Sequence, residues 1–269
     1  MSQVYYLLLG IGGIQKFIFG SNRLRIALNA SQAVSGIFQD LNSHRTQKME
    51  IGYEGGGNAL LLFEEESGVK EFLQGFSKYV LTDFPGLQLQ YAVEKASKDI
   101  SGEEFQELLF VLNQKQASQK VFKGITSPLQ FGFGQDCHYG GGAATTLSEI
   151  TRKSGLKPVS EITSKFLHNE PQQYHCPSGW NLPKDMEDLG QTQHDDNWIA
   201  VVHADGNGLG QMISKTQSLQ ELRELSKKFS STVVEAYSNM QKRLVDESPI
   251  WFKELNLAES MLPLRHIIL

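Results

Sequence analysis

One carboxylate stands where a nucleotide-handling turn would need it: Asp205, followed by Gly206-Asn207-Gly208-Leu209-Gly210. The apolar run 198–204 leads into it, and a long stretch with helical apolar spacing follows. An acid at the C-terminal end of a strand can ligate a divalent cation beside a triphosphate. Glycines there let a phosphate approach the backbone, and the next helix N-terminus favours an anion. The same residue types also cap helices and fill turns, so the pattern by itself leaves an Asp cap open. A second glycine turn, Gly10-Ile11-Gly12-Gly13, separates the apolar run 4–9 from another helical stretch. A third group, Gly55-Gly56-Gly57, lies between two short apolar runs, as a hairpin tip that no side chain crowds.

Three other chemistries fit these residues less well. A Rossmann turn wants a second strand ending in an acid about 20 residues on. Here helical spacing runs on to Leu41 after the first turn and to Val245 after the second. Cys137-His138 and His175-Cys176 supply four zinc-ligand types, but adjacent residues rarely reach one tetrahedral ion, so the spacing disfavours zinc. Lys16, Arg23 and Arg25, and further on Lys227, Lys228, Lys242 and Arg243, fit phosphate contacts and a solvated basic face equally. Asp195-Asp196 reads as a surface turn, and there is no G-x-S-x-G nucleophile signature.

The elements that must position these residues follow from periodicity. Residues 4–9 are continuously apolar, as in a strand covered on both faces. Ile14, Phe17, Ile18, Leu24, Leu28, Val34, Ile37, Phe38 and Leu41 then predict one long amphipathic helix. Strands are expected at 49–53 and 58–63, a helix over 69–80 and an alternating strand over 87–93. This βαββαβ order is the ferredoxin-like arrangement, two helices on one face of an antiparallel sheet. It is shared by RNA-binding modules and by polymerase and cyclase palms, so fold does not choose among them. Ser101-Gly102-Glu103-Glu104 reads as a capping box opening another helix. Periodicity collapses over 124–197 apart from a short helix near 160–168, which suggests a loop-rich insert.

After the second turn, Leu219, Leu222, Leu225, Phe229, Val233, Tyr237, Met240 and Leu244 predict one face of a long helix, and 265–269 begin a strand. Setting Gly10 against Asp205, an offset of 195, brings Gly13 onto Gly208, Ile14 onto Leu209 and Ile18 onto Ile213. The expected class is therefore α/β (α+β), with two ferredoxin-like palm halves. The divisions are a degenerate first palm at 1–96, a helical connector at 97–123, the insert at 124–197 and the first part of a second palm at 198–269. A nucleotidyl-transferring palm needs two carboxylates, one ending its first strand and one in the following hairpin. The first half has Gly10 and Gly55-Gly56-Gly57-Asn58 at those places; the second has Asp205 and stops before its hairpin.

The segment Gly13-Ile14-Gln15-Lys16-Phe17-Ile18-Phe19, continuing through Ser21-Asn22-Arg23-Leu24-Arg25 to Ala30-Ser31, resembles the first palm of a known family. That family is the large, polymerase-like subunit of type III CRISPR effector complexes. Residues 53–63 resemble its glycine hairpin; Ser127-Pro128-Leu129, Cys137 and Gly142-Ala143 its inter-palm region; residues 204–210 the opening of its second palm. The resemblance implies an antiviral role. It also implies RNA-activated synthesis of cyclic oligoadenylates from ATP and Mg²⁺ (or Mn²⁺) through a GGDEF-like Gly-Gly-Asp-Asp hairpin. By the same resemblance Asp205 is a metal ligand, and Gly206, Asn207, Gly208, Leu209 and Gly210, with Gly55, Gly56 and Gly57, flank the nucleotide. Other effector subunits and guide or target RNA are the implied partners.

The chain departs from that family in lacking the acidic hairpin, the C-terminal helical domain, the HD nuclease and the paired Cys-x-x-Cys motifs. It is therefore expected to make no product by itself, and its gene is expected to continue or its product to pair with another chain. The rival expectation is a scaffold that binds RNA or partner subunits without chemistry. With 269 residues, 40% of them hydrophobic, and a net charge of −5, the composition is that of a globular protein without a wide basic surface for nucleic acid. The apolar runs are far short of the roughly 18 residues that span a bilayer. The start lacks a basic n-region, and two cysteines fit a reducing cytoplasm, so a cytoplasmic protein is expected.

Overall fold

The structure is a computed structural model and describes residues 2–21, 23–38, 41, 43–44, 48–55, 57–119, 134–140, 142–149, 155–169 and 208–254, without the side chains of 241, 244–245 and 247–254. In chain order the elements are β1 (Gln3–Gly12), α1 (Ile14–Ile18), α2 (Leu24–Gly36), β2 (Met49–Gly55), β3 (Asn58–Phe63), α3 (Glu66–Asp83) and β4 (Gln88–Ser97). They are followed by α4 (Glu103–Gln119), β5 (Thr146–Ser148), β6 (Lys157–Val159), α5 (Glu161–His168), α6 (Leu209–Ser214) and α7 (Leu219–Glu254).

Strands β1 to β4 form an antiparallel sheet in the order β2-β3-β1-β4, the ferredoxin-like topology. On one face Leu7, Leu9, Leu61 and Phe63 meet Phe38 beyond α2 and Phe72, Phe76 and Val80 of α3. Phe38 stacks on Phe76 at 6.2 Å and Phe72 on Phe76 at 5.3 Å. On the other face Tyr6, Leu8, Leu60 and Leu62 are covered by Phe105, Leu108, Leu109 and Leu112 of α4 and by Leu222 of α7. This second layer is why residues 4–9 are continuously apolar: alternate side chains enter two cores, and each fully buried one contributes about 1.5–3 kcal/mol.

Two expectations change. The single helix predicted from Ile14 to Leu41 is two, α1 and α2, broken around Gly20-Ser21. The chain folds back there so tightly that a Cβ on Gly20 would lie 2.8 Å from the Lys16 carbonyl oxygen. Because both pieces pack apolar side chains inward, the helical period carries across the break and hides it. Helix α4 starts at Glu103, behind Gly102 with φ +66°, whose carbonyl accepts from Gln106 N–H. Gly102, not Ser101, thus occupies the capping place.

The stretch expected to be loop-rich has more order than its composition suggests. Its described residues form the β5–β6 hairpin and α5, capped by Ser160, whose hydroxyl accepts from Thr163 N–H. Tyr139, Val159, Phe166 and Leu167 build a third core against Ile26 and Ala30 of α2. Of the predicted α7 face, Leu222 is buried and Leu219 packs beside it, whereas Phe229 and Val233 are exposed. The strands expected at 198–204 and 265–269 lie outside the described residues. Among the described residues no helix is long and apolar enough to cross a membrane.

Candidate functional site

The first glycine turn and the hairpin tip are neighbours. The strand expected to stop at Leu9 runs on to Gly12, still paired with β4, so Gly10 lies inside β1, where it pairs with Asn58 at the start of β3. The Ile11 N–H donates to the Gly57 carbonyl at 3.0 Å, and a Cβ on Gly57 would lie 3.3 Å from Ile14 Cδ1. The two places where a palm carries its acids are thus adjacent, and neither carries one. A Cβ on Gly10 would sit 2.6 Å from Gln116 Nε2 of α4 and 2.9 Å from Asn58 Oδ1. Gln116 is only 6% exposed, and its Nε2 has no hydrogen-bond partner among the described residues. Amides and bare backbone do not make a Mg²⁺ site. Among the described residues no group of three His, Cys, Asp or Glu side chains is placed to hold a metal.

The second turn repeats the local path of the first. Gly13 and Gly208 are both left-handed, with φ/ψ of 81°/8° and 78°/5°, and each precedes a short helix. Left-handed backbone costs a side-chain-bearing residue about 1–2 kcal/mol, which is why glycine stands at both. Phe17 N–H donates to the Gly13 carbonyl at 3.0 Å, and Met212 N–H donates to the Gly208 carbonyl at 3.0 Å. The longer helices start at Leu24 and Leu219, and Ala27→Arg23 and Leu222→Ser218 are matched backbone bonds of 3.1 and 3.0 Å. All of these pairs share the offset of 195. Of the candidate residues, Gly208, Leu209, Gly210, Gly55 and Gly57 are therefore placed. Asp205, Gly206, Asn207 and Gly56 lie outside the described residues.

Helix α7 carries the second turn's continuation onto the first hairpin. Arg223 Nε donates to the Gly52 carbonyl at 3.0 Å, and its Nη2 donates to the Ile51 carbonyl at 2.9 Å and to Glu50 Oε1 at 2.6 Å. Ser226 Oγ donates to the Glu54 carbonyl at 3.2 Å. These acceptors lie on β2, an edge strand whose register with β3 shifts between Ile51 and Tyr53. The Arg223 hydrogen bond, helped by Lys98, holds the Glu50 carboxyl below its ordinary value against the opposing effect of burial. Burial raises the Glu54 carboxyl and pushes the Tyr53 hydroxyl up to about 12, so neither tyrosinate nor extra negative charge is favoured beside the tip.

The basic residues divide. Arg23 lies over the Tyr139 ring at 5.2 Å, and Arg25 Nη1 donates to the Leu167 carbonyl at 3.4 Å, so both help dock the insert on α2. Lys16, Lys227, Lys228, Lys242 and Arg243 are exposed. Cys137 is buried with Sγ 3.4 Å from Thr163 Oγ1, while His175 and Cys176 lie outside the described residues. Sequence reasoning missed Gln116 and Arg223. Gln116 sits on the apolar stripe of α4, between Leu112 and Gln119, and that position was a readable sign that it faces inward. Arg223 carried no such sign, because its partners are backbone carbonyls about 170 residues away.

No family model and no curated protein matches the chain. Among solved structures it is similar to an apo Csm1-Csm4 cassette, at 20% identity and a TM-score of 0.37, over 45% of this chain and 19% of that one. It is similar to a Csm1-Csm4 cassette in complex with AMPPNP, at 19% identity and a TM-score of 0.38 over the same shares. A third, in complex with pppApApA, gives 16% identity and a TM-score of 0.39 over 60% of this chain and 25% of that one. The chain thus spans a quarter or less of the length of those chains.

Proposed function

We propose that the chain is a type III CRISPR large-subunit-like protein of antiviral defence. Its parent architecture would bind ATP and Mg²⁺ between two palm-like halves and build cyclic oligoadenylates, with other effector subunits and guide or target RNA as partners. The observation that carries this reading is the register of the two glycine turns: left-handed glycines, helix starts and backbone bonds recur together at one offset. That recurrence equates Asp205 with Gly10, which lies in β1 two residues before the strand ends at Gly12. On this reading Asp205 is one ligand of Mg²⁺, and the backbone of Gly206–Gly210 and Gly55–Gly57 flanks the nucleotide. When bound, the ion supplies charge neutralisation of the triphosphate. Within these 269 residues the second half offers one such carboxylate, so the chain by itself is proposed to bind nucleotide without turnover.

A second reading, a scaffold without chemistry, is favoured by the filled first half, where Gln116 and Asn58 occupy the carboxylate position. Such a scaffold would not use the stacking platform of RNA-binding modules, since both sheet faces are buried under helices. Calorimetry with ATP and Mg²⁺ separates the two. Metal-dependent binding that Asp205→Ala abolishes is expected; heat of binding from neither protein would leave the scaffold.

A further inference from the structure

The insert carries a cavity that the proposed function does not use. It measures about 590 Å³; α5 lines it with Glu161, Ser164, Lys165 and His168, and Thr145 and Thr146 line it where β5 begins. Buried groups shape it from behind. Ser148, 4% exposed at the end of β5, places its Oγ 2.6 Å from His168 Nε2. A hydroxyl donating to Nε2 leaves the ring proton on Nδ1, so the imidazole is held in place and still has a donor. The last carbonyls of a helix ordinarily repel an anion. In α5 they are taken up by α2: Asn29, 5% exposed, donates from Nδ2 to the Phe166 and Asn169 carbonyls at 2.7 and 2.8 Å, and Arg25 Nη1 donates to the Leu167 carbonyl at 3.4 Å. Lys165, about half exposed, meets Asp83 of α3 at 3.4 Å. Exposed pairs of this kind are worth about 0–1 kcal/mol, so a more highly charged anion can take over the ammonium.

We infer that this cavity between β5 and α5 binds the terminal phosphate of a small phosphomonoester. Such a group carries close to two negative charges and three outer oxygens. The hydroxyls of Thr145, Thr146 and Ser164, the Lys165 ammonium and the His168 ring N–H are donors suited to it. A phosphodiester offers two outer oxygens and one charge, so the donor set favours a small ligand over the backbone of a nucleic-acid strand. The inference is independent of the nucleotide reading, because none of these residues belongs to either glycine turn or to the hairpin tip.

The test follows backbone amide NMR shifts of the 269-residue chain at constant ionic strength. The probes are inorganic phosphate, glycerol 1-phosphate and a hydroxyl-ended triadenylate, which carries diesters only. Expected with the first two are saturable shifts at residues 145–146 and 161–169. Lys165→Met and His168→Ala should each weaken binding about tenfold. Asp83→Asn removes the carboxylate that competes for Lys165 and should tighten binding, a gain that misfolding cannot produce. Shifts that do not saturate and that chloride reproduces would overturn the inference, as would a Lys165→Met variant that titrates like wild type. Saturation by the triadenylate alone would also overturn it and make the cavity a strand-binding surface.

Discussion

Replacing Gly10 with alanine probes why no acid stands near the end of β1. The added Cβ would sit 2.6 Å from Gln116 Nε2 and 2.9 Å from Asn58 Oδ1, both under the separations that real Cβ atoms keep. To reach ordinary contact at about 3.5 Å, the Gln116 amide must retreat by nearly an ångström inside a close-packed layer. Overpacking of this kind costs about 1–3 kcal/mol, and because both obstructing atoms are the ends of flexible side chains we place Gly10→Ala at the low end, about 1 kcal/mol. Gln116→Ala should by contrast be close to neutral, because it deletes a buried donor that has no partner among the described residues while leaving a small cavity. In the double variant the new methyl enters the space that the amide vacates. Most of the cost of Gly10→Ala should then disappear, a coupling that a double-mutant cycle isolates. Urea unfolding with unchanged m-values gives all four stabilities. Equal costs for Gly10→Ala in both backgrounds would refute the reasoning, and the carboxylate position could no longer be called closed by α4.

The matched turns predict matched penalties. Gly13→Ala and Gly208→Ala should each cost about 1–2 kcal/mol, and asparagine at either place should cost less. Hydrogen exchange in α1 and α6 reads the two separately, and an alanine at Gly208 without effect would deny that turn its left-handed requirement. The Arg223–Glu50 contact predicts a pH signature. Because the folded Glu50 carboxyl is held below the ordinary glutamate value of 4.5, its stabilisation is present above that value and is lost as pH falls through the folded pKa. The stability gap between wild type and Arg223→Met should accordingly narrow below about pH 4.5, as urea midpoints over pH 3–7 would show. A gap that stays constant across that range would mean that the carboxylate does not contribute.

Legibility in the sequence followed locality. Strand β3 matches its expected bounds, and β1, β2, α3, β4 and α5 appear where period and punctuation put them. Each is specified by side chains a few residues apart. The offset of 195 was readable because turns are also local: a glycine that must be left-handed shows itself in one position. The break at Gly20 was missed because two helices feeding one core keep a common period. The β5–β6 hairpin was missed because three-residue strands hold too few alternations to register. The site's decisive contacts were the least legible. Gln116 against Gly10 and Arg223 against β2 join residues more than 100 positions apart through a missing side chain and through carbonyls; the apolar stripe of α4 shows that Gln116 faces inward, but nothing in residue type names either partner.

The burial of both sheet faces constrains where this architecture can act. A ferredoxin-like sheet with helices on one side keeps the other open, and RNA-binding modules stack bases there. Here α4 and the start of α7 cover that side, with Phe105, Leu112 and Leu60 fully buried. What the sheet still offers is the end of β1 together with the β2–β3 tip, backbone that carries almost no side chains. Such a surface cannot concentrate charge, because of its two candidate positions for an acid one faces the Gln116 amide and the other is glycine. It can lie flat against a polyanion that is charged and oriented from elsewhere. On the proposed reading that elsewhere is the second turn with Asp205, and the unequal halves then do different work: one supplies charge, the other a close-fitting glycine wall.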